Sequence, residues 1–341
     1  MVNMNFPDFS GSLNPAEEEM LQSLLAKADQ PQNAWAKQLR RESSGKIMDW
    51  ANNYVLFLEN HPCCKGMIKL NDFTGIAEFN GKMLDDKQVN ILMSEAQNAF
   101  DIKVQKVQFS MALDVYTNMH KYNPVEDYLK SLSWDGKKRA EKLFIDWLGA
   151  QDTQLTRTMT IKWLLAAVKR SIHPGTKFDN MIILQCSEGG GGKTTLCQRL
   201  GLEFGNETMH LYNELTGNDL DDDKKSTEKT DFGWIITFDE LQGMNKKEIE
   251  KVKTFMSQTV TYPRMSYDKR NSEHRRHCVF IGSTNETNFL RDYTGSVERR
   301  FWVIPTTTTM QTNRVWYEFT REVVDQIWAE VYWMYMMNPD V

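Results

Sequence analysis

The chain has 341 residues, 40% of them hydrophobic and 26% charged, with a formal net charge of −5. That length accommodates two domains and a sizeable core, and the composition is that of a soluble globular protein, not a disordered or fibrous one. No apolar run is long enough to span a bilayer, the start Met1-Val2-Asn3-Met4-Asn5-Phe6 lacks the regions of a signal peptide, and any nucleic-acid partner would need a local basic patch that the acidic total hides.

Residues 1 to 30 read as a tail followed by a helix start, where Asn14 caps, Pro15 opens the first turn and Glu17, Glu18 and Glu19 favour the helix N-terminus. Residues 31 to 140 read as a mostly helical domain. Ile47, Trp50, Tyr54, Leu56 and Leu58 mark one helix, and Val89, Ile91, Leu92 and Ala96 a second. Met111, Ala112, Val115 and Met119 mark a third, while Phe73 to Phe79 reads as short and turn-rich. Helix, turn, helix is compatible with a winged-helix-like module, and no catalytic constellation precedes residue 140. His61-Pro62-Cys63-Cys64 and His274-Arg275-Arg276-His277-Cys278 gather metal-ligand types, but neither has the paired spacing of a zinc site. The five cysteines fit no disulfide framework, which predicts reduced thiols and a cytoplasmic protein; Cys197 and Cys278 sit in apolar neighbourhoods as ordinary core residues.

The turn at Trp134-Asp135-Gly136-Lys137-Lys138 places a boundary near residue 140, with a second domain over 141 to 341. Leu143 to Leu148 reads helical. A longer helix from Leu155 to Ile172 is stopped by His173-Pro174-Gly175. The apolar run Met181-Ile182-Ile183-Leu184 then leads into Ser187-Glu188-Gly189-Gly190-Gly191-Gly192-Lys193-Thr194-Thr195 and a helical stretch. Strand, glycine loop, helix is the context of a phosphate-binding loop. Backbone N–H groups of Gly189, Gly190, Gly191, Gly192 and the helix start at Thr195 would wrap phosphate oxygens. Lys193 would reach the β- and γ-phosphates of ATP, and the Thr194 hydroxyl would hold Mg²⁺. Ser187 stands where the loop's first glycine is expected.

A second buried-strand pattern, Phe232 to Phe238, ends in Asp239-Glu240. Asp239 would bind Mg²⁺, and Glu240 would orient and deprotonate the attacking water. The mixed-charge stretch from Asp219 to Asp231 reads as a solvated loop. Lys246 to Ser257 is an amphipathic helix whose Ile249, Val252, Phe255 and Met256 belong to the core. A third strand, Cys278 to Gly282, runs into Ser283-Thr284-Asn285, where Asn285 would sit beside the γ-phosphate. Arg299 and Arg300, just before the apolar Phe301-Trp302-Val303-Ile304, are arginine-finger candidates; a salt-bridged pair is the competing reading for each. Lys253, Arg264, Lys269, Arg270, Arg275 and Arg276, interleaved with Tyr262 and Tyr267, form the local basic stretch that suits single-stranded nucleic acid. A solvated surface hairpin is the alternative there.

With these motifs assembled, the chain resembles the virulence-associated E family of phage and mobile-element P-loop ATPases, which are similar to superfamily-three helicases of the AAA+ group. The resemblance spans roughly residues 45 to 335. Its more specific marks are Trp134-Asp135-Gly136-Lys137 and Arg299-Arg300-Phe301-Trp302. It implies an α/β fold: a P-loop core of parallel sheet flanked by helices, beside the helical N-terminal domain. It also implies ATP and Mg²⁺ held by Lys193 and Thr194, an acidic motif at Asp239 and Glu240, and a sensor at Asn285. One departure is the element Gly295-Ser296-Val297-Glu298-Arg299-Arg300, longer than the family's Gly-x-Arg-Arg, which leaves open which arginine acts in trans.

The leading expectation is an ATP-driven helicase or translocase. It would form a hexamer or other ring on single-stranded or forked DNA in the cytoplasm of a bacterial host, with a separate primase or initiator as a further partner. A nucleotide-gated DNA-binding or interference protein is the second reading, and a small-molecule kinase the third.

Overall fold

The structure, a computed structural model, describes residues 34–186, 189–205, 209–238, 241, 246–263, 272–285 and 299–339. They fall into two compact units that divide between Tyr122 and Asn123. The Trp134-Asp135-Gly136-Lys137 turn, which the sequence places at a boundary, therefore lies inside the second unit.

The first unit opens with a 3-10 turn at Ala34–Gln38, followed by α1 (Ala51–Asn60), β1 (Ile68–Asn71), β2 (Ile76–Phe79), β3 (Lys82–Met83), α2 (Asp86–Phe100), α3 (Lys106–Met119) and β4 (Lys121–Tyr122). The strands form a sheet ordered β3-β2-β1-β4, with β1 antiparallel to β2 and parallel to β4. The helices expected around Tyr54, Leu92 and Met111 are present, with Ile47 and Trp50 preceding α1 and the helix start at Asn14 outside the described residues, but the turn-rich stretch around Phe73 is a hairpin joining two four-residue strands. Runs that short show too little alternation to register as strands in the sequence. Tyr54, Phe57, Phe100, Phe109 and Tyr116 make the core, all buried. The Asp85 carboxylate accepts from the Gln88 N–H at 2.8 Å and caps α2, which ends at Asp101 in the left-handed region.

The second unit contains α4 (Pro124–Ser131), α5 (Leu143–Leu148), α6 (Gln154–Ile172), β5 (Met181–Gln185), α7 (Lys193–Leu200), β6 (Tyr212–Leu215), α8 (Asp223–Asp231), β7 (Ile235–Phe238), α9 (Lys246–Ser257), β8 (Val260–Thr261), β9 (His274–Arg275), β10 (Val279–Thr284), β11 (Phe301–Pro305), α10 (Val315–Glu318) and α11 (Arg321–Met337). Five strands pair in parallel in the order β11-β5-β10-β7-β6. Parallel strands covered on both faces read as unbroken apolar runs, which is why β5, β7 and β10 were legible. Buried tryptophans lock helices to the sheet. Trp163 Nε1 donates to the Phe280 carbonyl at 2.7 Å, and Trp234 Nε1 donates to the Ala167 carbonyl at 2.9 Å. Trp234 also stacks on Trp328, with centroids 4.1 Å apart.

The Trp-Asp-Gly-Lys turn is a clasp on α11. Trp134 packs on Trp333 at 4.8 Å, the Asp135 N–H donates to Gln326, and Glu330 accepts from the Arg139 and Ala140 N–H groups at 2.6 and 2.9 Å. Gly136 sits at φ +82°, which favours glycine there.

The Asp219–Asp231 stretch, expected as a solvated loop, is ordered: a 3-10 turn from Gly217 to Asp221 leads into α8. Asp219 is buried and receives the ammonium groups of Lys225 and Lys229 at 2.7 and 2.8 Å. Burial opposes its ionisation, but those lysines and Thr216 outweigh it and hold the carboxyl well below its usual range. Pairing of that kind cannot be seen in a charge count.

His277, at the foot of β10, is fully buried, and burial with the nearby Arg276 and Arg170 guanidiniums pushes its imidazole down to about 3. An unfolded histidine titrates near 6.5. A depressed folded-state value means that this contribution to stability is complete above about 6.5 and is lost progressively as pH falls from there toward about 3. Urea midpoints measured across that window should fall with acid in the parent and fall less steeply in His277→Gln. Identical slopes would show that His277 does not carry the effect.

Candidate functional site

The glycine loop connects β5 to α7 at the C-terminal edge of the sheet. Gly192 caps α7 at φ +82°, and Lys193 and Thr194 form its first turn, so the helix's partial positive charge is directed at the loop. Lys193 and Thr194 line a small cleft with Leu184, Cys197, Thr237 and Ser283. Thr237 sits in β7 and Ser283 in β10, so the C-terminal halves of those two strands and the helix start after β5 converge at one place. Tyr212 links Thr237 to β6: its hydroxyl donates to Glu214 at 2.6 Å and accepts from the Thr237 hydroxyl at 2.9 Å. Burial, then the Glu214 hydrogen bond, pushes the Tyr212 phenol up, so it remains a neutral donor.

A strap from Thr306 to Asn313 supports the loop from beneath. The Asn313 amide donates to the Gly190 carbonyl at 3.0 Å and accepts from the Val315 N–H at 2.8 Å. A Cβ added at Gly192 would lie 2.7 Å from the Asn313 oxygen, and one at Gly190 would lie 3.2 Å from Met310. One at Gly191 would overlap the Thr308 carbonyl. The strap's backbone thus leaves no room for a side chain at Gly191, while the positive φ at Gly190 and Gly192 favours glycine there. Sequence reading missed this segment, because Thr-Thr-Thr-Thr-Met-Gln-Thr-Asn has no periodicity to mark it.

The strand register orders the remaining candidates. Thr284 pairs with Gln185, so Asn285, which is exposed, follows at the same edge as the loop. β10 lies between β5 and β7, and Phe238 pairs with Gly282. Asp239 and Glu240 follow Phe238 in sequence and lie outside the described residues, as do Ser187, Arg264, Tyr267, Lys269 and Arg270. Arg299 and Arg300 are at the opposite edge, because Phe301 pairs with Met181 at the start of β5. Arg299 is exposed, and its carbonyl accepts from Asn180 at 2.8 Å. Arg300 is half-buried, 3.4 Å from Asp179, and donates to the Lys253 carbonyl at 3.4 Å.

A family model, the virulence-associated protein E-like domain, matches residues 129–341. The chain belongs to this family. The match covers the Trp-Asp-Gly-Lys clasp, the glycine loop and the whole five-stranded sheet of this virulence-associated E-like protein. Among solved structures it is similar to the apo structure of the NrS-1 C-terminal region (305–718), at 14% identity, with a TM-score of 0.48, covering 78% of this chain and 65% of that one. Two A-form apo structures of the same region give 12% and 13% identity and TM-scores of 0.47 and 0.45. This chain spans 65% or less of the length of those chains. No curated protein matches the sequence. Among the described residues, no helix is long and apolar enough to cross a membrane.

Two members of the predicted basic stretch are not on the virulence-associated E-like protein's surface. Arg276 is buried, its guanidinium 4.2 Å from the Phe255 ring centroid and 5.4 Å from that of Phe280. Lys253 is also buried, with its ammonium 2.6 Å from Glu250. Both expectations are corrected: these cations are covered by aromatic rings or bound to an acid on their own helix. Arg275 is exposed on the β8–β9 hairpin and pairs with Glu273.

Proposed function

We propose that this virulence-associated E-like protein is a replication-associated ATP hydrolase that acts as a helicase or translocase on DNA of a phage or integrated element. The observation that carries the reading is the cleft where Lys193 and Thr194 meet Ser283 and Thr237, with Asn285 at the same sheet edge. In this reading the loop backbone and Lys193 bind the phosphates, and Thr194 and Asp239 hold Mg²⁺. Glu240 takes the proton of the attacking water, and Asn285 orients that water. Mg²⁺, when bound, would supply neutralisation of the phosphate charge. The residues fit that group: the Thr194 hydroxyl is in the first turn after a cradle of glycines, and acids follow β7, one strand beyond β10, in sequence.

Register argues against action in cis. Four strand steps of about 3.3 Å separate Met181 from Gln185, so Arg299 lies on the order of 13 Å of strand from its own loop, beyond a side chain's reach. It would therefore serve the nucleotide of a neighbouring subunit in a hexamer or other ring. Arg300, engaged with Asp179 and the Lys253 carbonyl, is the weaker choice. DNA contact then falls to Arg264, Tyr267, Lys269 and Arg270, with the exposed Arg275 following in sequence. A primase or initiator would be a separate protein.

Strand displacement on a forked DNA duplex tests the proposal. The parent should displace a strand only with ATP and Mg²⁺, and Glu240→Gln should bind nucleotide and DNA without displacement. Parent protein that binds DNA in a nucleotide-dependent way but never displaces a strand would favour the gated DNA-binding reading.

A further inference from the structure

The turn after α1 brings His61, Cys63 and Cys64 together in the core of the first unit, and nothing in the proposed reaction uses them. Their ligand atoms all lie within 4.8 Å of one another. His61 Nδ1 is 2.9 Å from Cys63 Sγ, and the Cys63 N–H donates to the same nitrogen at 3.4 Å. Cys64 Sγ lies 3.5 Å from the Phe57 carbonyl and 3.6 Å from the His61 carbonyl. Both cysteines are buried.

The turn is held independently of those side chains. The Cys64 and Lys65 N–H groups donate to the His61 carbonyl at 3.1 and 2.9 Å, and Met67 N–H donates to the Cys64 carbonyl at 2.9 Å. The His61 ring stacks on Phe57 with centroids 4.6 Å apart, which fixes its plane. Spacing alone argued against a zinc site, because adjacent cysteines are not a Cys-x₂-Cys pair. A tight turn makes the spacing irrelevant by pointing all three donors to one place.

Two sulfurs and an imidazole nitrogen are soft to borderline ligands, suited to zinc rather than to magnesium or calcium. A tetrahedral zinc, with Zn–S near 2.3 Å and Zn–N near 2.0–2.1 Å, holds its ligand atoms roughly 3.5–3.8 Å apart. The observed cluster brackets that spacing, so small side-chain rotations suffice. We propose that His61, Cys63 and Cys64 bind one zinc-type thiophilic cation, which pins the turn that follows α1.

The test is metal content and cobalt substitution of the full chain. Zinc-loaded parent should retain one equivalent through gel filtration, and the cobalt form should show sulfur-to-metal charge transfer. Cys63→Ser should weaken cobalt binding by more than roughly tenfold and lose most of that band. His61→Ala, altering only the partly exposed ligand, should weaken binding while the fold is retained by circular dichroism. Cys197→Ser, in the other unit, should leave stoichiometry unchanged. Parent protein that takes up no metal, a cobalt form without the sulfur band, or a band that survives in Cys63→Ser would each overturn the site. So would oxidation of Cys63 and Cys64 to a disulfide in place of metal uptake.

Discussion

Lys193→Ala is expected to lower ATP turnover by roughly 10²–10³-fold, measured as phosphate release at saturating nucleotide. The helix N-terminus and the glycine amides survive the change, so some phosphate affinity should remain. What disappears is the ammonium at the first position of α7, beside Thr194 and across the cleft from Ser283 and Thr237. Alanine is the strongest helix former, so α7 should persist and the loss should be chemical, with the unfolding midpoint nearly unchanged. A Lys193→Ala protein that hydrolyses ATP at the parent rate would remove this cleft as the catalytic centre. Arg299→Ala should behave differently if it acts across an interface: its turnover should recover in part when mixed with Lys193→Ala, because each variant supplies the half-site the other lacks. No recovery in mixed oligomers would argue against action in trans.

How much of this was legible in the sequence depended on whether the signal was local. β5, β7 and β10 are short apolar runs with distinctive polar residues after them, and a parallel sheet covered on both faces makes that pattern inevitable. The glycine loop is likewise a local backbone requirement. The strap at Thr306 to Asn313 is not local: it matters because Thr306 N–H bonds the Gln185 carbonyl at 2.7 Å and Asn313 bonds Gly190, more than a hundred residues away in sequence. Arg276 and Lys253 misled for the same reason. A basic residue between aromatics can stack bases or be buried under rings, and only tertiary packing decides which. The Trp-Asp-Gly-Lys turn was visible as a motif, but its clasp on Gln326 and Glu330 of α11 could not be read from either segment alone. The hairpin of β1 and β2 was missed because four-residue strands fall below the length at which alternation is informative.

Gly191→Ala and Gly189→Ala should differ sharply although they are two residues apart. Neither glycine adopts the left-handed backbone that would strain alanine, so only space separates them. A Cβ at Gly189 meets nothing within 4 Å, whereas one at Gly191 overlaps the Thr308 carbonyl. That carbonyl cannot withdraw easily. Thr306 and Thr308 donate their N–H groups to Gln185 and Leu148 at 2.7 and 3.3 Å, and the Thr307 hydroxyl donates to the Gly149 carbonyl at 2.9 Å. The loop must therefore move instead, at an overpacking cost of about 1–3 kcal/mol. Displacement of the cradle by even part of an ångström should also weaken nucleotide binding, and misplacement near 1 Å should cost on the order of 10²-fold in turnover. Gly189→Ala should leave both thermal unfolding and nucleotide titration close to the parent. Equal, small effects of the two variants would mean that the strap yields and that the glycine run answers to phosphate alone. A large effect confined to Gly191→Ala would place part of the nucleotide site's precision in residues 306 to 313.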